Sequence, residues 1–297
     1  TPTSDFKTMQ SVINKLANCS VSGPVVFELA AGAYSEIDLR APIQGASNQN
    51  TITFTSARGR ASDVVIGVNT EVAVYLKNTN HLHFRNVTIG TTQSHTLYGV
   101  KFEGDCEDIA FYACNINATV SSTTNNSSAV YYSGSNNSPL YLKNISFIKN
   151  NIQGGYYNFY LNYAGGSKTN MVASAPNRTS VTIDSNNFTN AYYYGIYISY
   201  FCYAPSISYN NFSCRSNCNY FHGIYLSNYN TVDKLVNNKI NLINNTYGYG
   251  IYATYLNHDS TYGAVDPCLI ANNEIISNKG TYNYGIYRTH GRWNFIN

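Results

Sequence analysis

Charge is scarce in this chain. Asp, Glu, Lys and Arg together make up 11% of 297 residues, against about 25% in an average globular protein. The net charge is only +3, and no run of Lys or Arg occurs, so a phosphate-tracking nucleic-acid surface is not expected. There is one Trp and there are two Met. No apolar stretch approaches the roughly 20 residues that a membrane-spanning helix needs. The Ala, Glu, Lys and Leu richness of helical bundles and coiled coils is missing too, which excludes those classes. The seven Cys are an odd number. Cys106 with Cys114, and Cys214 with Cys218 (Cys202 nearby), are close in sequence, but none has Cys or His partners at zinc-finger spacing. Local disulfides and buried free thiols both fit this pattern. No signal peptide is visible, and the Thr1-Pro2-Thr3 start is what a processed or trimmed protein would show.

What the chain has instead is Tyr, 29 residues, and Asn, 42 residues. Tyr suits pleated surfaces and Asn suits tight turns, so the composition favours sheets. A repeat is also present. Gly, an aliphatic residue and Tyr recur as Gly195-Ile196-Tyr197, Gly223-Ile224-Tyr225, Gly250-Ile251-Tyr252 and Gly285-Ile286-Tyr287. Weaker copies are Gly99-Val100-Lys101, Ala129-Val130-Tyr131 and Asn158-Phe159-Tyr160, and the steps between copies are 30, 29, 37, 28, 27 and 35 residues. Asn-x-Ile/Phe precedes most copies, at Asn150, Asn186, Asn210, Asn238 and Asn273. Units of this length are too short for propeller blades and have neither a Leu framework nor helix periodicity. The reading is an all-β fold, a single right-handed parallel β-helix in which each unit forms one coil and like residues stack on like. The Asn positions then stack at a bend, where their amides hydrogen-bond from coil to coil.

Phe6, Met9, Val12, Ile13 and Leu16 recur at helical spacing, with Ser4 as the expected N-cap. This predicts a short amphipathic helix capping the N-terminal end within residues 1–20, followed by coils over 21–297 as one domain, in what could be a segment of a longer protein. A strand at Val25–Leu29 and a turn at Ala31-Gly32-Ala33-Tyr34 follow. The stretches Asp5-Phe6-Lys7-Thr8-Met9-Gln10, Gly23-Pro24-Val25-Val26-Phe27 and Ala31–Glu36 look like the opening of right-handed β-helix proteins of the pectate lyase and pectin methylesterase superfamily. The later Asn-x-Ile and Gly-Ile-Tyr units are similar to that superfamily's coils. The opening also resembles secreted or surface β-helix proteins of Bacteroidota-type bacteria.

The superfamily resemblance implies polysaccharide-cleaving enzymes, whose methylesterases use two Asp with an Arg and whose polygalacturonases use an Asp cluster. After residue 109 the chain has only Asp184, Asp233, Asp259, Asp266 and Glu274, and none stands in a recognisable copy of those motifs. Asp259 and Asp266 share one loop and could meet, but nothing in the sequence requires it. No catalytic residue is assigned, and the reading leans away from catalysis in this segment. Glu103, Asp105, Glu107 and Asp108 could hold Ca²⁺, although a solvated turn is the commoner use of such a cluster. His81 and His83 share one face of a strand without an identifiable third ligand, so no metal site is assigned. Arg288, His290, Arg292 and Trp293 could contact an acidic sugar or begin a capping segment.

The Tyr column carries the functional expectation. If the residue after each Gly points inward (Ile196, Ile224, Ile251, Ile286), as do Ile198, Leu226 and Ala253 two further on, then alternation points Tyr131, Tyr160, Tyr197, Tyr225, Tyr252 and Tyr287 outward. A second partial ladder would comprise Tyr163, Tyr200 and Tyr255, with His290 in register. A column of small residues (Gly99, Ala129, Gly195, Gly223, Gly250, Gly285) should lie beside the first ladder. Ser133, Asn162, Ser199, Ser227, Thr254 and Thr289 should lie further out. Such a face, aromatic and hydroxyl-rich, suits stacking against sugar C–H faces. The expected function is a secreted or cell-surface carbohydrate-binding or adhesin module whose partner is a polysaccharide or surface glycan. The alternatives are a lyase or glycoside hydrolase with a diverged site, and an assembly subunit joined through the Tyr face or the carboxyl end. Sheet packing by stacked Tyr would explain the same column without any ligand.

Overall fold

The computed structural model describes residues 6–93, 95–135, 141–165, 179–216, 218–243, 245–258, 266–278 and 282–296. Ser4, the expected N-cap, and Asp259 lie outside them. The chain winds as a right-handed parallel β-helix. Each coil contributes one strand to each of three parallel sheets, in the repeating order first, second, third. Among the described residues the first sheet has ten strands, from Val25–Leu29 to Trp293–Ile296, and the second has nine, from Gly32–Tyr34 to Glu274–Ile276. The third also has nine, from Ile37–Leu39 to Tyr282–Gly291. The expected turn at Ala31–Tyr34 is therefore a correction: Gly32–Tyr34 is the opening strand of the second sheet, paired with Val64–Ile66.

The helix spans Met9–Asn18 and buries Met9, Val12, Ile13 and Leu16, packing on Ile37–Leu39. Its cap is Thr8 rather than Ser4. The Ser11 amide donates to Thr8 Oγ1 at 3.2 Å and the Thr8 amide donates back to Ser11 Oγ at 3.4 Å. The capping-box pattern thus starts four residues later than the apolar spacing implied.

The interior is built of columns. Phe27, Phe54, Phe84, Phe111 and Phe147 stack at 4.8–5.4 Å along the first sheet. Ile183, Ile207, Leu235 and Ile270 continue the column in register. In the second sheet Ile66, Ile89, Ile116, Ile152, Phe188, Phe212 and Ile240 are buried in one line. Ile196, Ile224, Ile251, Ile198, Leu226 and Ala253 point inward as expected and are at most 1% exposed. Ile286 departs from the expectation at 40% exposed, because its strand has a neighbour on one side only. In that same strand Arg288 takes the inward register position held by Ala253 in the coil before, an inward charge on an edge strand.

At the bend between the first and second sheets the Asn column forms a continuous ladder. Asn150, Asn186, Asn210 and Asn238 each direct Nδ2 to the Oδ1 of the next, through Asn273, at 2.9–3.1 Å. Each also donates from Nδ2 to a strand carbonyl of the preceding coil. The residue before each one adopts a left-handed conformation, at Lys149, Ser185, Tyr209, Asn237 and Asn272.

Candidate functional site

The third sheet presents the Tyr column. Tyr131, Tyr160, Tyr197, Tyr225, Tyr252 and Tyr287 are paired in register, coil on coil. Their rings stack at 5.1, 5.1, 5.0, 4.5 and 5.1 Å with planes within 11° of parallel. This spacing is set by the separation of neighbouring strands.

The stacking has a chemical consequence. The rings turn their faces on one another, at separations that admit no further ring between them. Solvent meets ring edges and phenol oxygens instead. The expected mode, sugar C–H faces lying on the rings, is therefore not what the interior of the column offers. Its hydroxyls form the accessible chemistry. They lie near the side chains of the neighbouring column: Tyr160 near Ser133 and Asn162, Tyr197 near Ser199, Tyr225 near Ser227 and Tyr252 near Thr254. Burial pushes the Tyr160 phenol up to about 12 and raises Tyr197, Tyr225 and Tyr252 as well. These phenols stay neutral and keep their protons at physiological pH. Ser199 and Ser227 are buried rather than surface groups, with Ser227 Oγ donating to Ser199 Oγ at 3.0 Å.

Two further aromatic ladders lie on the same face. Tyr157, Tyr194, His222, Tyr249 and Tyr284 stack at 5.0–5.2 Å. Tyr156, Tyr193, Tyr220, Tyr247 and Tyr282 stack at 5.1–5.8 Å. The sequence signal was an aromatic residue immediately before Asn158, Gly195, Gly223, Gly250 and Gly285. Strict alternation places that residue inside, whereas here the small residue and the aliphatic residue after it both face the interior, which leaves the aromatic outside. Tyr194 and Tyr197 consequently meet edge to face at 5.1 Å on one side of the strand.

The small-residue column thus faces the interior rather than the surface. A Cβ on Gly195 would lie 2.6 Å from Phe212 Cδ1, and one on Gly223 would lie 2.5 Å from Ile240 Cγ2 and 2.8 Å from the Gly250 carbonyl oxygen. Gly223→Ala is accordingly expected to cost about 2 kcal/mol through overpacking, read as a lowered denaturation midpoint with a loss of near-ultraviolet tyrosine dichroism.

The second expected ladder is broken in two. Tyr163 stacks on Tyr200 at 4.5 Å and Tyr255 on His290 at 4.7 Å. Asn228 occupies the intervening position, and all five residues have positive φ. Towards the amino end, the main column continues in register as Lys101, Tyr75 and Asp38. These residues line a cavity of about 440 Å³ together with Glu36, Arg40, Thr70, Glu71 and Val72. Arg40 pairs with Asp38 at 2.8 Å and lies 5.0 Å over the Tyr75 ring, and Lys101 lies 5.6 Å from it. The Tyr75 hydroxyl donates to Glu103, which also pairs with Lys77. Burial and that hydrogen bond push Tyr75 up to about 12.

The other expected groups are dispersed or engaged. The carboxylates of the acidic cluster point to separate partners: Glu103 to Lys77, Asp105 to the Tyr141 amide, Glu107 to Lys143, and Asp108 to His81 and Asn144. His81 is at a left-handed bend, so it does not form a regular two-His strand face with His83. Arg288 lies over Phe295 at 5.2 Å and His290 stacks on Tyr255. Asp184 accepts from Ser206 and the Ser208 amide, and Glu274 pairs with Lys239. Among the described residues no three His, Cys, Asp or Glu converge as metal ligands, and no helix is long and apolar enough to cross a membrane.

No protein-family model matches the chain, and no curated protein matches it. Two solved structures resemble it. One is a GH136 lacto-N-biosidase from Eubacterium ramulus, at 11% identity and TM-score 0.48, over 98% of this chain and 65% of that one. The other is the pectin methylesterase of Aspergillus niger in deglycosylated form, at 10% identity and TM-score 0.40, over 97% of this chain and 84% of that one. The chain thus spans about two thirds of the biosidase's length. Neither match supports the resemblance to Bacteroidota-type surface proteins. Identities this low leave the question of activity to this chain's own residues.

Proposed function

We propose that the chain is an extracellular carbohydrate-binding or adhesin-type module, secreted or held at a cell surface, whose polysaccharide ligand lies along the tyrosine face. The observation that carries this reading is the line of six stacked phenols, spaced one coil apart. An extended sugar polymer offers hydroxyls at a comparable regular spacing. Recognition on this view is by hydrogen bonding to the phenol oxygens, with the ring edges in van der Waals contact.

The test is a polysaccharide array with two triple variants, in which Tyr197, Tyr225 and Tyr252 are all changed to Phe or all to Ala. Phe keeps the stack and deletes only the hydroxyls. Three lost hydrogen bonds of about 1 kcal/mol each predict an affinity loss of about a hundredfold in the Phe variant. Unchanged binding by a folded Phe variant would refute hydroxyl recognition. No binding to any glycan by the unaltered chain would turn attention to the face as an assembly surface.

One observation favours a second reading. Glu36, Asp38 and Glu71 ring the cavity at the head of the main column, where carboxylates could act on a bound chain. New chain ends or unsaturated products after incubation would carry that catalytic reading.

A further inference from the structure

The odd cysteine count resolves into three classes of thiol. Cys106, Cys114, Cys202 and Cys268 are buried, and burial pushes each up to about 12. They are chemically quiet. Cys19 stands alone at the C-cap of the helix. Cys214 and Cys218 differ, because they are neighbours where the chain passes from the second sheet to the third.

The local geometry brings both sulfurs to one point of the preceding coil. Cys214 ends its strand in register with Ala191. Cys218 Sγ lies 3.0 Å from the carbonyl oxygen of Tyr192, the next residue, and 2.9 Å from that of Tyr220. Between the two thiols in sequence, Arg215 is fixed over the Tyr192 ring at 5.1 Å and donates to the Gly155 carbonyl at 3.1 Å. We propose that Cys214 and Cys218 form a dithiol site that closes to an intrachain disulfide on reaction with a small-molecule disulfide. The resulting staple would fix the turn beneath the outer tyrosine column.

The chemistry assigns distinct roles to the two sulfurs. Cys214 is the less buried of the two, and its Cys218 neighbour, aided by Arg215, holds it below its ordinary range, while the Cys214 neighbour and burial hold Cys218 above. Cys214 is therefore the attacking thiolate and Cys218 the resolving thiol. Cys214 attacks one sulfur of the oxidant, breaking its S–S bond, and the departing thiolate takes a proton. Cys218 then loses its proton and attacks Cys214 Sγ, expelling the second oxidant half as a thiol. One disulfide is consumed and one is formed, and the two protein protons leave on two small thiols.

The experiment uses the folded full chain, incubated with oxidised glutathione, quenched in acid, unfolded and alkylated with N-ethylmaleimide. Intact mass is expected to show two adducts fewer than the seven found after full reduction. Tryptic cleavage at Arg215 should leave peptides 179–215 and 216–234 joined, with fragmentation placing the link at Cys214, not Cys202, and at Cys218. Seven adducts after oxidation would overturn the proposal, as would a link between other cysteines or a glutathione retained on Cys214. Cys214→Ser should lose no thiol to oxidation. The mass count on the unaltered chain stands whether or not that variant folds.

Discussion

Replacing Asn210 by Leu is expected to lower the unfolding free energy by about 4 kcal/mol, the largest effect of a single substitution argued from this structure. Asn210 is fully buried, and its side chain serves two neighbouring coils. Oδ1 accepts from the Asn186 amide at 2.9 Å and from Asn186 Nδ2 at 3.1 Å, while Nδ2 donates to the Ile183 carbonyl at 2.8 Å and to Asn238 Oδ1 at 3.0 Å. Leu has similar bulk but leaves the Asn186 amide and the Ile183 carbonyl buried without partners. Each such orphan costs about 1–3 kcal/mol. Asn151→Ala supplies the control. Its Nδ2 donates to Asn115 Oδ1 at 3.0 Å, but the residue is exposed, and the expected cost is under about 0.5 kcal/mol. Urea unfolding of both variants checks the pair of values. Equal midpoints would show that the ladder does not bear on stability.

The second large effect is acid destabilisation through His222. Its ring is 8% exposed, lies between Tyr194 and Tyr249 at 5.0 Å from each, and has no partner for Nδ1. Burial lowers its pKa from 6.5 to about 4. The folded state thus binds this proton less readily than the unfolded state. Stability is unaffected above about pH 6.5, falls as the pH drops, and reaches its full loss of about 3 kcal/mol once the pH is below about 4. The rings packed against His222 are Tyr193, Tyr194, Tyr225 and Tyr249, none of which titrates in that window. His222→Phe keeps an aromatic ring in the stack and removes the titration. Denaturant midpoints at pH 7 and pH 4 should therefore differ by about 3 kcal/mol less in the variant than in the unaltered chain. An equal acid loss in both would exclude His222 as its source.

Much of the fold is legible in the chain because each coil restates it. Ile196 and Tyr197 have fixed orientations wherever strict alternation holds, and Asn186 and Asn210 mark the bend by their spacing ahead of each Gly. Legibility fails where a local device breaks the alternation. Tyr194 reads as inward until Gly195 is seen to lie against Phe212 in the interior. Ser199 reads as surface until Ser227 and Asn228 cover it with hydrogen bonds. Asp38 extends the main column without a Gly-aliphatic-Tyr signature, whereas Tyr75 stands in Ala73-Val74-Tyr75, a further copy identical to Ala129-Val130-Tyr131 that the repeat as first read omits. That the ring faces are already occupied by one another is beyond the sequence altogether, because only ring orientation shows it.

The main column also separates two lengths that are usually coupled. The step from Tyr160 to Tyr197 covers 37 residues and that from Tyr225 to Tyr252 covers 27, yet the ring separations are 5.1 and 4.5 Å. Connections between strands can grow without moving a ring. The fold therefore behaves as a ruled scaffold with an invariant pitch and a freely editable perimeter. Lineages, or protein engineers, could vary what borders the tyrosine face while leaving the face itself unchanged.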